Sequence, residues 1–220
     1  MDQVSQPNSL RERLIDAGVD LVMTEGSASL GLREIARRAG VSHGAPRRYF
    51  PTHHALLSAI ARRGFTELAA RFTAAAEGAG TPREQLRGLA DAFLDYAGEC
   101  GGMFELMFRH DLLDSEAHAD DAEADAPAPP RLRESTLPLF ARLVELVAQD
   151  RAHHTENGTG PLYDSAPPPA LTAAALWTNL HGIAVLRASG SLQLAFPGPG
   201  EAPDPLVTAL LDAHLGRVAA

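Results

Sequence analysis

The 220-residue chain is 45% hydrophobic and 21% charged, which excludes disorder as its main state and fits about one or two domains. Its single cysteine, Cys100, excludes an intrachain disulfide and a cysteine-built zinc site, and fits a reducing cytoplasm. The net charge of −9 is unevenly spread: residues 1–72 hold ten arginines against seven acidic side chains, and residues 73–220 hold nine against 21. A basic head on an acidic body suits a head that meets a polyanion.

Apolar residues recur with a period near 3.6 and nowhere alternate long enough for a strand, so the chain is expected to be all-α. Ser9 and Glu12 have capping-box spacing, and Leu10, Leu14, Ala17, Leu21 and Val22 share one face of a first helix that Gly26 ends. Leu32, Ile35, Ala36 and Ala39 mark a short second helix stopped by Gly40. Ser42 is expected to cap a third short helix reaching Phe50, with Pro46 tolerated in its first turn. A fourth helix follows Pro51, carrying Leu56, Leu57, Ile60 and Phe65.

Thr81, Pro82 and Glu84 start a fifth helix, which Gly101 and Gly102 are expected to break. Residues 103–113 read as a buried helix and residues 114–130, acidic and rich in alanine and proline, as a mobile surface segment. Leu132 to Val147 mark another helix, with Pro138 as a kink or a delayed start. Residues 157–169 read as a loop and residues 170–189 as a helix apolar almost all round. Thr172, Thr178, Asn179 and His181 interrupt that helix, and no membrane span is expected. A rigid connector over 197–205 leads to a last amphipathic helix with Leu206, Val207, Leu210, Leu211 and Leu215.

Residues 32–50, LREIARRAGVSHGAPRRYF, have the anatomy of a helix-turn-helix. Ala36 and Ala39 are small where a second helix crosses, Gly40 makes the turn, and Gly44 and Ala45 let the backbone approach a groove closely. Arg47, Arg48 and Tyr49 then offer donors suited to phosphate and to guanine edges. An isolated arginine pair is commonly only a solvated surface; its placement directly after this turn favours DNA.

Residues 10–57 resemble the DNA-binding domain of the tetracycline-repressor (TetR) family: an apolar first helix ending in glycine, the IA..AGVS segment, an aromatic-ending recognition helix and the opening of helix four. The resemblance implies a three-helix DNA-binding domain at 8–54 and a helical effector-binding and dimerisation domain at 55–220. It implies DNA contacts at Arg33, Ser42, His43, Gly44, Ala45, Arg47, Arg48, Tyr49 and His53. Arg47 stands where the family usually has tyrosine and His53 where it usually has lysine, so the backbone clamps differ chemically. A weaker likeness around Trp177, His181 and Gly182 points to a subgroup with a tryptophan and a His-Gly pair on the penultimate helix.

Candidate effector-pocket residues are Phe93, Phe104, Met107, Phe108, Phe140, Trp177, Asn179 and His181: bulky apolar groups with sparse polar ones. Two readings stand, because an aromatic and methionine stripe also builds ordinary core and a buried histidine often serves a carbonyl. His110, Asp111, Asp114 and His118 share a face, but without a second cluster a solvated acidic surface is favoured over a metal site. No nucleophile elbow, phosphate loop or dinucleotide fingerprint argues for an enzyme, and no cofactor is expected. The expected function is that of a cytoplasmic homodimeric regulator, in repressor mode, reading a pseudo-palindromic operator under control of a small-molecule effector. A ligand-free architectural DNA-binding or protein-interaction module is the alternative.

Overall fold

The computed structural model describes residues 9–109, 132–156, 166–195 and 203–217, and among them every regular element is helical. The helices are α1 (Leu10–Glu25), α2 (Leu32–Arg38), α3 (His53–Ala76), α4 (Pro82–Glu99), α5 (Gly101–Met107), α6 (Leu132–Glu156), α7 (Pro169–Ala188), α8 (Leu192–Ala195) and α9 (Pro203–Leu215). Two compact units result: Met1–Thr66 with Cys100–Ser135, and Glu67–Glu99 with Thr136–Ala220. Residues 110–131 and 157–165 lie outside the described residues, and with them the acidic segment and the His110, Asp111, Asp114 and His118 set.

In the first unit α1 begins as the capping spacing anticipates, with the Ser9 hydroxyl accepting from the Glu12 backbone N–H at 3.3 Å. Its face of Leu14, Ile15, Leu21 and Val22 is buried, as are Ile35 and Ala36 of α2. Gly40, at φ 67°, lets α2 end in a Schellman motif: the Val41 N–H reaches the Ala36 carbonyl and the Gly40 N–H the Arg37 carbonyl. The Arg13 guanidinium donates to the Ala39 carbonyl at 2.7 Å and so ties α1 to this turn.

The third helix of the expected trio is absent. Between Val41 and Phe50 there is a turn closed by the Ala45 N–H on the Ser42 carbonyl, then a single 3-10 turn over Pro46–Arg48. Pro46 is the cause. A helix capped at Ser42 would make its first intrahelical bond from the backbone N–H of residue 46, and proline has none. Among the described residues the Ser42 side chain caps no helix; Thr52 instead caps α3, its hydroxyl accepting from the Ala55 N–H at 3.0 Å.

Gly101 and Gly102 open α5 instead of ending α4, the break falling at Cys100. A Cβ on Gly102 would lie 2.6 Å from the Val22 carbonyl oxygen and 3.0 Å from the Gly26 Cα, so a side chain there is excluded by the close approach of α5 to the end of α1. Nothing crowds Gly101. Gly102→Ala is therefore expected to cost about 1–3 kcal/mol in a urea titration, through overpacking against backbone. Gly101→Ala, the control, leaves stability unchanged or slightly raised.

In the second unit α4 starts with a reciprocal capping box. The Thr81 hydroxyl accepts from the Glu84 N–H, while the Glu84 carboxylate accepts from the backbone of Gly80 and Thr81 at 2.8 and 2.9 Å. Those backbone bonds hold the Glu84 carboxyl below its usual range. Helix α6 runs unbroken from Leu132 across Pro138, and α9 begins within the expected connector, at Pro203. The short α8 was not anticipated. Helix α7 is long and apolar enough to cross a membrane by length and composition, but it packs against α4 and α9 through Thr172, Ala173, Leu176, Leu180, Ile183 and Ala184.

Candidate functional site

Eight arginines of the head separate into two sets. Arg13 holds the Ala39 carbonyl, Arg37 pairs with Glu34, Arg38 with Asp20 and Glu25 at 2.6 and 2.8 Å, and Arg63 with Glu12. Arg11 pairs with Glu12 and lies over the Phe50 ring at 5.3 Å. Arg33, Arg47 and Arg48 are exposed and have no ion pair or hydrogen bond among the described residues. Three cations are thus held in water by a rigid head with no internal task.

The 3-10 turn decides how they are presented. Pro46 and Phe50 are buried beneath it, which turns Arg47, Arg48 and Tyr49 outward together, with Tyr49 43% exposed. At three residues per turn these consecutive side chains fan out about 120° apart around the axis. Ser42, His43 and Gly44 are exposed on the preceding turn, with open space over the Gly44 Cα, and Ala45 is half-buried. Arg33 projects from the first turn of α2.

His53 opens α3 and faces the loop before α2. Its Nε2 lies 2.7 Å from the Leu30 carbonyl, and since a carbonyl only accepts, Nε2 carries the proton and donates.

Of the eight candidate pocket residues, Phe93 and Trp177 come together, their rings 5.0 Å apart, in the interior of the second unit. With Phe72, Leu86, Leu143, Leu180 and Leu211 among their neighbours they surround an opening of about 10 Å³, room for about one water-sized sphere. Phe104, Met107 and Phe108 belong to the first unit, where Phe108 stacks edge-on against Phe65 at 5.6 Å and packs on Phe104 at 4.8 Å. Phe140 is half-buried, Asn179 is exposed, and neither lines the opening. His181 is half-buried beside it in sequence only, and burial pushes its imidazole below the ordinary value, so the ring is neutral at pH 7. The lining leucines were legible in the sequence as buried stripes, a signal that does not separate lining from filling. Among the described residues no group of three or more His, Cys, Asp or Glu side chains gathers to hold a metal ion.

The family described as bacterial regulatory proteins, tetR family, matches residues 14–60, and the one described as tetracyclin repressor-like, C-terminal domain, matches residues 86–214. The HTH-type transcriptional regulator BetI of Rhizobium meliloti (strain 1021) is similar at 34% identity over 89 residues, 40% of this chain and 44% of that protein. The match thus spans less than half of that relative's length. A protein of unknown function from Rhodococcus sp. RHA1 has a similar structure, with a TM-score of 0.67 and 27% identity over 97% of both chains. A TetR-like transcriptional regulator from the same organism shares the fold at a TM-score of 0.61 and 20% identity, over 96% of this chain and 100% of that one. With the C-terminal family covering more than half of its length and the N-terminal one lying over the arginine-bearing head, the chain belongs to the TetR family of transcriptional regulators.

Proposed function

We propose that the protein is a homodimeric repressor that reads a pseudo-palindromic operator in the bacterial cytoplasm and releases it when a small effector binds. One observation carries this reading: of the head arginines described above, Arg33, Arg47 and Arg48 alone are left exposed and uncommitted, on the second helix and the turn that follows it. Residues 8–54 are the DNA-binding part and residues 55–220 the regulatory and dimerising part. His43 and Tyr49 flank the arginines as further contacts, Ser42, Gly44 and Ala45 give the backbone its close approach, and His53 steadies the head.

One short reading turn spans too few base pairs for specificity, and a two-fold dimer doubles the information through symmetric half-sites. If the three arginines of each head meet phosphates, six counterions are released per dimer, and log K falls against log salt with a slope of about −5. Gel-shift titrations on the upstream region of the protein's own gene, across a salt series, measure it. A flat salt response overturns the reading.

The effector enters the interior beside Phe93 and Trp177, and the lining selects an apolar molecule, since a buried polar group there would find no partner. The opening is too small for any such molecule, so binding selects a conformer in which these side chains have separated. A differential affinity of about 1–3 kcal/mol gives a 5- to 150-fold change in operator affinity. The closely filled interior also favours a second reading, a DNA-binding module without a ligand. Hydrophobic metabolites that raise the melting temperature, quench Trp177 and release operator select the first; a screen without operator release selects the second.

A further inference from the structure

We propose that Arg13 is a positioning residue for operator reading: from α1 it holds the upstream end of the reading turn, residues 41–49, in the setting that presents Arg47 and Arg48 to DNA. The proposal rests on the assignment of those arginines to the DNA face and adds a side chain that acts from behind them.

The turn needs an outside support because Pro46 has removed an inside one. A helical recognition element is stiffened by a ladder of bonds from each N–H to the carbonyl four residues back. Here the Ala45 N–H bonds the Ser42 carbonyl at 3.0 Å, the Arg48 N–H the Ala45 carbonyl at 3.2 Å and the Tyr49 N–H the Pro46 carbonyl at 3.0 Å. Each spans three residues, and such bonds are less well aligned than α-helical ones. The setting of the turn is therefore decided where its two ends are fastened.

Downstream the fastening is Phe50, whose N–H reaches the Pro46 carbonyl at 2.9 Å and whose buried ring lies under the Arg11 guanidinium. Upstream it is the end of α2, where the Schellman bonds occupy the Ala36 and Arg37 carbonyls. The Ala39 carbonyl falls outside that pair, and the Arg13 guanidinium takes it at 2.7 Å from 26 positions away in sequence. This carbonyl belongs to the peptide that joins Ala39 to Gly40, the residue at φ 67° where the chain changes direction. A rotation there swings every residue of the turn. A charged donor on that oxygen, at the negative end of α2, opposes the rotation. Because the Arg13 side chain is exposed while the apolar face of α1 is buried, its loss frees one end of the turn and leaves the head folded.

The experiment is fluorescence anisotropy across a salt series, on a labelled duplex from the upstream region of the protein's own gene, with the full chain as wild type, Arg13→Met, Arg13→Lys and Arg47→Ala, each well below its melting temperature. Methionine and lysine keep an unbranched stem and a helix propensity close to that of arginine, so α1 is unchanged, and only lysine keeps a donor for the carbonyl. A turn that occupies its reading position about a third of the time costs about threefold per head and about tenfold per dimer. Arg13→Met is expected to show that loss at every salt concentration, with the slope of the wild type, and Arg13→Lys to regain most of it. A slope shallower by about 2 for Arg13→Met would make Arg13 a phosphate contact in its own right and overturn the positioning role. An Arg13→Lys protein no better than Arg13→Met overturns it too, because the donor is then not what matters. If Arg13→Met binds within about twofold of the wild type while Arg47→Ala fails, the positioning role falls and the reading face stands. If Arg47→Ala binds as the wild type does, the reading face is wrong and the proposal falls with it.

Discussion

Arg47→Ala leaves the thermal melt unchanged and weakens operator binding from about 30-fold to more than 10,000-fold. The first half follows from the side chain's exposure and from its having no internal partner, so the folded head loses no interaction with it. The second follows from symmetry: a lost contact to a phosphate or a guanine costs about 1–3 kcal/mol per half-site, and a dimer loses it twice. Arg38→Ala is the contrasting case. Its guanidinium bridges α2 to Asp20 and Glu25 of α1, so its loss shows in the melt of the head, modestly because the pairs are exposed, and in DNA binding only indirectly. Fluorescence anisotropy with a labelled operator, alongside calorimetry, separates the two behaviours. Unchanged operator affinity for Arg47→Ala would show that the exposed face of the 3-10 turn is not the reading face. Arg47→Lys is a further control. It keeps the charge but not the bidentate fork, so a variant that retains affinity while losing discrimination between operator sequences assigns Arg47 to a base and not to a phosphate.

The sequence carried the helices wherever a cap or a long apolar stripe marked them, as at Ser9, Thr81 and along α7. It failed where one residue removed one hydrogen bond. Pro46 lies in a segment whose spacing reads as a helix, and periodicity is blind to the missing N–H that leaves only a 3-10 turn. Gly101 and Gly102 read as a helix break by propensity, yet they open α5 because only a residue without a Cβ fits against Val22 and Gly26. The arginine count of the head was plain from the chain, but not its division into structural and uncommitted members, since the partners of Arg38 lie 13 and 18 residues away. Phe104, Met107 and Phe93 are alike in sequence, as apolar residues at helical spacing. Only packing separates the first two into one compact unit and the third into the other.

Asp150→Ala is expected to destabilise the second unit by about 3–5 kcal/mol, through the breaking of a buried ion pair. The Asp150 side chain is 2% exposed and that of Arg83 12%, and they meet through two hydrogen bonds of 3.1 and 3.0 Å. Arg83 also donates to the carbonyls of Leu215 and Gly216 at 3.0 and 2.9 Å, so one guanidinium joins the start of α4 to α6 and to the end of α9. Neither residue stood out in the sequence, where Asp150 lies between Gln149 and Arg151 on what looks like a wetted helix face. Removing the carboxylate strands a buried cation whose nearest remaining anion, Asp212, is 3.8 Å away and one-third exposed. For a unit of this size the loss lowers the melting temperature by roughly 6–20 °C. Replacing both partners, as in Arg83→Met with Asp150→Leu, leaves no stranded charge and is expected to recover most of the loss, since a buried pair owes much of its apparent worth to the penalty of breaking it. Calorimetry on the single and double variants tests both expectations, and an Asp150→Ala protein that melts within 2 °C of the wild type would show that the pair contributes little to the fold.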